Sequence, residues 1–294
     1  MKSVEKCSLC GSSRFIELFK VKTQNIETNV IRCAKCGLAF LDPRPSREEI
    51  KMIYGNKYFS DHVKPEILDS RALASAELLK RLKKYLPEKG RVLDIGAATG
   101  AYLSAFKNQG WNVSGIEISD YARESAKKIF DITLYPNLES AAFSSNYFDF
   151  ILMNHVIEHL PEHLKLLKEV NRILKPKGIL YVGTPNFGSP SAAKLKSDWP
   201  SLKPDEHLTF FTPKTLKMVL NKAGFMIIKC DTMQPLVTTP QFEKMFGTKN
   251  AGTITKISNF LFPNLKRTAR NIIGWMYPGD AIEIIAAKNL NAKS

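Results

Sequence analysis

Four cysteines near the start of the chain form two pairs with the spacing of metal ligands. The pairs are Cys7-x-x-Cys10 and Cys33-x-x-Cys36. A two-residue gap lets two thiolates converge on one ion from a single tight turn, and two such turns supply four sulfur ligands in the tetrahedral geometry that suits zinc. Cysteine pairs in an intracellular chain bind metal more often than they form disulfides. The spacing therefore predicts a structural site in which all four cysteines hold Zn(2+).

The residues around these cysteines are expected to form a zinc ribbon over positions 1–42. Two short β-like runs, 15–19 and 29–32, lie between the pairs, and Gly11 and Gly37 closely follow the second cysteine of each pair. A segment this short buries little core, so the ion replaces one, contributing on the order of 10–16 kcal/mol in small metal-folded peptides. Redox or catalytic use of the thiols is the alternative. An iron site with rubredoxin-like spacing is another, although no second redox centre accompanies it.

A glycine-containing loop and a carboxylate further along the chain point to a nucleoside ligand. The apolar run 91–95 leads into a loop with Gly96 and Gly100, where a dinucleotide fold would carry the fuller pattern G-x-G-x-x-G. Glu117 ends the next apolar run. A carboxylate at that place can accept hydrogen bonds from both hydroxyls of an adenosine ribose, which disfavours a ribose 2′-phosphate. These residues are therefore candidates for cofactor binding.

Strand-like runs alternate with helical patterns from residue 91 onward. The predicted strands are 91–95, 112–117, 148–154, 178–184, 225–230 and 281–287. The alternation predicts an α/β fold with a parallel, doubly wound sheet and helices on both faces. Ligands of such sheets bind outside the carboxyl ends of the strands, where the loop and Glu117 would lie.

The chain divides into three parts on this basis. Residues 1–42 form the ribbon, and 43–90 form a linker with N-terminal helices, one of them amphipathic over 66–86. Residues 91–294 form the main domain. An insertion at about 235–278 separates its last two strands.

Four motifs, in order along the chain, resemble those of the class I S-adenosylmethionine-dependent methyltransferases. They are Val92 to Gly100, Gly115-Ile116-Glu117, Phe148 to His159, and Leu174 to Leu180. Ala98 stands where this family usually has a second glycine. The resemblance implies a Rossmann-like methyltransferase sheet behind the ribbon, methyltransferase activity, and S-adenosyl-L-methionine as the cofactor.

The same resemblance assigns expected roles to single residues. Asp94, Gly96 and Gly100 are expected to line the methionine and ribose, and Glu117 to hold the ribose. Asn137 and Leu138 fall where the family contacts adenine, and Asn154 falls beside the methionine end.

Histidines and a glutamate occupy the expected acceptor side. His155, Glu158 and His159 follow the strand 148–154 directly, and His207 follows a proline-rich loop. Ubiquinone-type O-methyltransferases carry Glu-x-x-Glu-His at the first place and hold a divalent cation there, whereas this chain has His155 in place of the first glutamate. The group can therefore be a catalytic base, a site for a softer metal, or a structural start of the next helix. His207 is a candidate base or orienting group, or an exposed histidine before a helix.

The charge of +15 favours polyanionic partners, although a lysine-rich surface accounts for it equally well. Within the insertion, residues 265–276 read as a basic amphipathic helix that either contacts an anionic membrane surface or packs as a lid. The composition argues against wholesale disorder. No apolar stretch reaches 18 residues and no secretory signal is evident. We expect a cytoplasmic protein. The basic amphipathic helix would allow it to attach peripherally to the inner face of the membrane.

Three functions are compatible with these features. The leading prediction is a methyltransferase for a small-molecule, saccharide or lipid-linked acceptor. A ribbon before this fold resembles sugar C-methyltransferases, but those are longer and carry a further C-terminal domain. The first alternative is an RNA methyltransferase that binds RNA through the ribbon. The second is a non-enzymatic binding scaffold, which the intact loop and Glu117 argue against.

Overall fold

A computed structural model describes residues 2–23, 26–45, 49, 63–233 and 279–289. The strands are β1 (Phe15–Lys22), β2 (Glu27–Cys33), β3 (Ala39–Asp42), β4 (Arg91–Ile95), β5 (Asn112–Ile116), β6 (Leu134–Tyr135), β7 (Phe148–Asn154), β8 (Leu174–Pro185), β9 (Thr209–Phe210), β10 (Phe225–Met233) and β11 (Ala281–Lys288). The helices are α1 (Pro65–Leu82), α2 (Ala101–Asn108), α3 (Asp120–Phe130), α4 (Leu138–Ala141), α5 (His163–Ile173), α6 (Pro190–Leu195) and α7 (Pro213–Lys222). The predicted basic helix of the 235–278 insertion lies outside the described residues.

The larger sheet has seven strands in the order β10-β11-β8-β7-β4-β5-β6. Strands β8, β7, β4, β5 and β6 pair in parallel. The predicted parallel sheet is confirmed for these five strands, whereas β11 pairs antiparallel with both β8 and β10. Strands β4 to β8 are linked by helical crossovers, which return the chain so that each strand runs in the same direction. Strand β11 lies between β8 and β10 and runs in the opposite direction. The α/β fold class itself is confirmed.

The N-terminal residues form a second, four-stranded antiparallel sheet. Its order is β1-β2-β3-β9, so its last strand comes from a distant part of the chain. Strands β1 and β2 contain the two β-like runs that the sequence predicts. Strand β9 was not predicted from the sequence, because a two-residue strand has too short a pattern to be recognised.

Local signals set several helix ends. The side chain of Ser119 caps α3 by accepting a hydrogen bond from the amide of Ala122. Helix α7 begins after Thr212 with a reciprocal capping box and stops before Gly224, which has a φ of +88°. Helix α1 ends at Leu82, four residues before its predicted end. No described helix is both long and apolar enough to cross a bilayer.

The small sheet shares one hydrophobic core with the larger sheet. One core joins ribbon residues such as Cys33, Leu38 and Phe40 to Phe211 and Leu216 of the α7 region. A second core lies between the ribbon strands and residues 192–210. The ribbon is therefore packed against the main sheet and does not extend away from it.

His163, at the start of α5, has a completely buried imidazole ring. Its ring packs edge-on against Phe211, with the centroids 5.6 Å apart. Neither ring nitrogen has a hydrogen-bond partner in the described part of the chain. Burial, together with the positive charge of Arg44, lowers the pKa of His163 to about 4. The residue is therefore neutral in the folded protein at neutral pH.

The variant His163→Phe should make the protein less sensitive to acid. The unfolded chain takes up a proton at this histidine near its ordinary pKa of 6.5, whereas the folded chain does so only near 4. The free energy of unfolding therefore falls as the pH is lowered through this window. We expect the wild type to lose about 2 to 3 kcal/mol relative to the variant between pH 7 and pH 4.5. Urea denaturation measures this, and equal losses in both proteins would contradict it.

Candidate active site and metal centre

The carboxyl ends of β4 and β5 lie side by side and carry the glycine-containing loop. Ile95 pairs with Ile116 across the two strands. The amides of Gly96 and Ala97 both donate to the carbonyl of Ile116, at 2.8 and 2.9 Å. Gly96 has a φ of +77°, and a Cβ atom there would lie 2.5 Å from Cγ2 of Val156. Only glycine fits this turn without displacing a neighbour.

Glu117 follows β5 and holds the same loop from the other side. Its two carboxylate oxygens accept hydrogen bonds from the amides of Ala98 and Ser119, each 2.9 Å long. Burial raises the pKa of Glu117, and the amide donors oppose that shift. Burial and the charge of Glu117 also raise the pKa of Asp94, which lies in β4. Each oxygen of Glu117 keeps acceptor capacity, so the carboxylate can accept further hydroxyl donors.

A cavity of about 1800 Å³ opens at this end of the larger sheet. Pockets for single small ligands measure roughly 300–1,000 Å³, so there is room for two ligands together. The sequence-predicted residues that line it are Asp94, Gly96, Glu117, Asn137, Leu138, Asn154, His155, His159 and His207. Gly100 precedes α2 with a φ of +76°, and Glu158 is buried beside the cavity. Their roles in binding and catalysis stay predictions.

One end of the cavity offers apolar surface beside Glu117. Ile118 lines it and is 60% exposed. Leu138 lines it too, at the start of α4, and the side chain of Asn137 caps that helix by accepting from the amide of Ser140 at 2.7 Å. This surface suits the face of a purine ring, as the predicted adenine contacts require.

Asn154 and His155 follow each other at the carboxyl end of β7. A Cβ atom on Gly183 would lie 2.2 Å from Oδ1 of Asn154, so the glycine makes space for the amide side chain. The amide of His155 donates to the carbonyl of Gly183 at 2.9 Å. His155 has a φ of +55°, a left-handed conformation that costs of order 1–3 kcal/mol in a residue other than glycine.

Glu158 is a buried carboxylate in the turn after β7. Its Oε2 accepts from the hydroxyl of Thr184 at 2.9 Å, and its Oε1 lies 3.2 Å from Nδ1 of His155. Burial opposes ionisation, but the hydrogen bond with His155 and the nearby imidazoles of His159 and His207 lower the pKa of Glu158 below its ordinary value. The carboxylate is therefore ionised at neutral pH.

The rings of His159 and His207 meet edge-on at the cavity wall, with centroids 4.7 Å apart. Nδ1 of His159 lies 2.9 Å from the carbonyl oxygen of Glu206, and Nδ1 of His207 lies 2.9 Å from that of Ser201. A carbonyl only accepts, so each Nδ1 is the donor and each Nε2 is an acceptor in the neutral ring. Burial lowers the pKa of His207 to about 4. Of the two alternatives for His207, the exposed histidine is wrong, because residues 199–208 fold around it.

This donor set supports two kinds of chemistry. Ligand atoms of Glu158, His159 and His207 all lie within 4.8 Å of one another. An imidazole beside an ionised carboxylate can take up a proton. Two imidazoles and a carboxylate are also a ligand set for zinc and other transition metals.

The four paired cysteines converge at the tip of the ribbon. Sγ of Cys7 lies 3.5 Å from that of Cys36, and Sγ of Cys10 lies 3.4 Å from that of Cys33. All four sulfurs lie within 4.8 Å of one another. A tetrahedral zinc site with Zn–S bonds near 2.3 Å separates its sulfurs by about 3.8 Å. The cluster therefore fits a zinc ion.

The backbone and a half-buried arginine complement this cluster. Burial raises the pKa of the Cys33 thiol, but hydrogen bonds from the amides of Cys36 and Lys35 outweigh it and bring the value to about 6. Nε and Nη2 of Arg44 are buried without hydrogen-bond partners in the described chain. Burial lowers the pKa of Arg44 to about 10, against the attraction of Asp42 and Cys7. A zinc ion with four thiolates has a net charge of about −2, which would balance this cation.

Several contacts at the site could not be predicted from the sequence. The carbonyls of Ser201 and Glu206 orient the two histidines, and every residue type has such a carbonyl. The hydroxyl of Thr184 reaches Glu158 across 26 positions. Ile118 did carry a signal, since it is an apolar residue directly after the predicted ribose carboxylate.

Comparisons with known proteins agree with this geometry. The family profile described as "Methyltransferase domain" matches residues 68–229. The biotin biosynthesis bifunctional protein BioHC of Cellvibrio japonicus is 28% identical over 156 residues, which cover 50% of this chain and 30% of that protein. A ubiquinone biosynthesis O-methyltransferase of Histophilus somni is 33% identical over 112 residues, covering 34% and 47%. The chain thus matches less than half of either relative's length.

A solved structure extends the similarity to most of the chain. The crystal structure of a SAM-dependent methyltransferase from Thermotoga maritima is 22% identical, with a TM-score of 0.53. The superposition covers 82% of this chain and all of that one. At this identity the similarity shows the fold, whereas the family profile spans more than half of the 294 residues. The chain therefore belongs to the methyltransferase-domain family.

Proposed function

We propose that the chain transfers the methyl group of S-adenosylmethionine to a hydroxyl group of a small-molecule acceptor, such as a saccharide, a lipid-linked precursor or a quinone-type metabolite. The observation that carries the proposal is the buried carboxylate of Glu158 with ligand atoms of His159 and His207 within 4.8 Å, each ring with a defined Nδ1 donor, at a cavity with room for two ligands. A hydroxyl nucleophile needs such a base, whereas an already ionised nucleophile does not.

The cavity has two halves with different roles in this proposal. The cofactor half contains Glu117 and the Gly96 loop, and the acceptor half contains Glu158, His159 and His207. Glu117 and the Gly96 loop support binding of the adenosine and ribose. S-adenosylmethionine supplies a methyl group on a positively charged sulfur, which becomes a neutral thioether after in-line transfer. The protein's contribution is then to align the acceptor oxygen and to remove its proton in a site shielded from water.

His159 is our candidate for the base. Its Nε2 would accept the hydroxyl proton as the oxygen–methyl bond forms, and the resulting imidazolium would be stabilised by the carboxylate of Glu158. His207 remains neutral because of its lowered pKa, so it suits the role of a hydrogen-bond acceptor that orients the hydroxyl group. Methyl, proton and charge then balance without a further reactant.

Labelling a cell extract tests the class of acceptor. Purified protein and methyl-labelled S-adenosylmethionine are incubated with fractions enriched in RNA, lipid, sugar nucleotides and small metabolites. We expect acid- and base-stable label in a lipid, sugar or small-metabolite pool, released only by reagents that cleave methyl ethers. Label confined to RNA would contradict the proposal and support an RNA methyltransferase. Cofactor binding without label in any pool would count against an enzyme.

The variant His159→Gln should lose methyl transfer while keeping cofactor affinity. General-base catalysis contributes roughly 10²- to 10⁴-fold, so we expect the rate on the labelled fraction to fall by about 100-fold or more. Lys165→Gln, on the exposed face of α5 at the same cavity, is the control and should stay close to wild type. Isothermal titration with S-adenosylhomocysteine monitors binding. An active His159→Gln protein would remove His159 from this role.

A further inference from the structure

Strand β9 and the residue before it tie the ribbon to the candidate active site. β9 pairs antiparallel with β3, with Phe40 opposite Thr209. Beside this pair, the amide of Leu41 donates to the carbonyl of Leu208 at 3.1 Å, and the amide of Leu208 donates to the carbonyl of Glu158 at 2.9 Å. Leu208 therefore bridges a ribbon strand and the turn that carries Glu158 and His159.

The segment before β9 holds both cavity histidines. We call residues 199–208 the acceptor loop. Its carbonyls at Ser201 and Glu206 accept from Nδ1 of His207 and of His159. The amide of His207 donates to the carbonyl of Lys203 at 2.8 Å, which closes the loop on itself. Both ring orientations thus depend on the shape of this one loop.

The ribbon in turn supports the acceptor loop by packing and by a side-chain hydrogen bond. The core between them contains Val21, Val30, Ala39 and Leu41 from the ribbon, and Trp199, Leu202, Leu208 and Phe210 from the loop and β9. The hydroxyl of Thr23 donates to Oδ1 of Asp205 at 2.9 Å. The loop has one side on the cavity and another on the ribbon.

We propose that the metal-folded ribbon is a positioning element for the acceptor half of the active site: through β3, Thr23 and the acceptor loop it orients His159 and His207, while the cofactor half does not depend on it. The catalytic meaning of the two histidines rests on the proposed function. The positional claim does not, because it concerns the loop and the ring orientations alone.

The independence of the cofactor half follows from how it is built. The Gly96 loop and Glu117 are held by Ile116, Ala98 and Ser119, all within the β4–β5 region of the main sheet. The ribbon, by contrast, is expected to draw part of its folding energy from its ion. Loss of that ion should therefore free β3 and loosen the acceptor loop, and leave the binding of adenosine in place.

Hydrogen exchange of the full-length protein tests the first half of this proposal. Wild type is compared with Cys33→Ser, which lacks one zinc ligand, using peptides that cover 199–210 and 91–117. In the variant we expect exchange of the 199–210 peptide to accelerate by about tenfold or more, with less than about twofold change at 91–117. The affinity for S-adenosylhomocysteine should stay within about threefold of wild type. Unchanged exchange at 199–210 in zinc-free protein, or equal loosening of both peptides, would overturn the proposal.

Point variants that leave the zinc ligands intact distinguish a local effect on the acceptor loop from general unfolding. Thr23→Val and Asp205→Ala each remove one partner of the same hydrogen bond, so their effects on exchange at 199–210 should not add in the double variant. Thr28→Val is the matched control. It removes another ribbon hydroxyl, bonded to the carbonyl of Pro43 at 2.7 Å, and should leave the loop unchanged. Additive effects, or an equal effect of Thr28→Val, would count against the proposal.

The imidazole tautomers provide a further measurement, because they would not change if the ribbon had only a structural role. In wild type, nitrogen-15 spectra should show both rings with the proton on Nδ1. In Cys33→Ser we expect His159 and His207 to become mixtures of tautomers, as the carbonyls of the acceptor loop move away. Fixed Nδ1 tautomers in that variant would overturn the proposal. Failure of the wild type to bind S-adenosylhomocysteine would instead contradict the proposed function. The tautomers of His159 and His207 could still be measured in that case.

Discussion

Replacing Glu117 by glutamine should weaken the binding of S-adenosylhomocysteine by about 100-fold. Each hydrogen bond to a charged group is worth about 1.5–3 kcal/mol, and the carboxylate is placed to accept two ribose hydroxyls. The amide group offers a donor where an acceptor is needed, so one bond is lost and the other is weakened. At 1.4 kcal/mol per factor of ten, a loss of about 3 kcal/mol gives this change. Isothermal titration measures it directly.

The variant Glu117→Gln is preferable to an alanine substitution because Glu117 also holds its loop. Its oxygens accept from the amides of Ala98 and Ser119, and glutamine retains one such acceptor. Glu139→Gln is the matched control. Glu139 lines the same cavity, is exposed, and lies in the first turn of α4. It should bind within about twofold of wild type, since exposed charges contribute little. Equal affinities of Glu117→Gln and wild type would disprove the ribose assignment.

Loss of a single zinc ligand should unfold the ribbon. A structural zinc ion contributes on the order of 10–16 kcal/mol to small metal-folded segments. We expect metal analysis to find one zinc per chain in wild type and less than about 0.1 in Cys33→Ser. Two metal ions per chain in wild type would indicate that Glu158, His159 and His207 also bind a cation.

Cys230→Ser is the natural control for that experiment. Cys230 lies in β10, is half-buried and is not part of the four-cysteine cluster, and burial raises the pKa of its thiol. It therefore stays protonated and should not affect the zinc content. Circular dichroism and protease sensitivity of residues 1–42 report on the ribbon. A Cys33→Ser protein with full zinc content and a protease-resistant ribbon would refute the four-cysteine site.

Short-range patterns in the sequence predicted much of the fold. The spacing of Cys7-x-x-Cys10 and Cys33-x-x-Cys36 is enough to predict a four-sulfur cluster, because each pair is a local turn. The alternation from residue 91 onward predicts the strands of an α/β sheet, since the side-chain period of a buried strand is local as well. The methyltransferase resemblance, resting on the Gly96 loop and Glu117, is confirmed by the family profile.

The direction of β11 is a case in which local pattern was insufficient. Parallel and antiparallel strands of a buried sheet have similar apolar runs, so the run itself does not encode direction. Direction depends on where the preceding connection returns the chain. The pairing of β11 with β8 and β10 is therefore a tertiary property.

The sequence by itself determined the four-cysteine cluster, the methyltransferase family and the set of histidines and carboxylates near the expected cavity. Only the tertiary structure decided that β9 completes the ribbon's sheet, that Leu208 bridges Leu41 and Glu158, and that backbone carbonyls orient His159 and His207. The physical reason is that backbone amides and carbonyls are the same in every residue, so their long-range partners leave no mark on the order of side chains. Those partners are chosen when the ribbon packs against the acceptor loop.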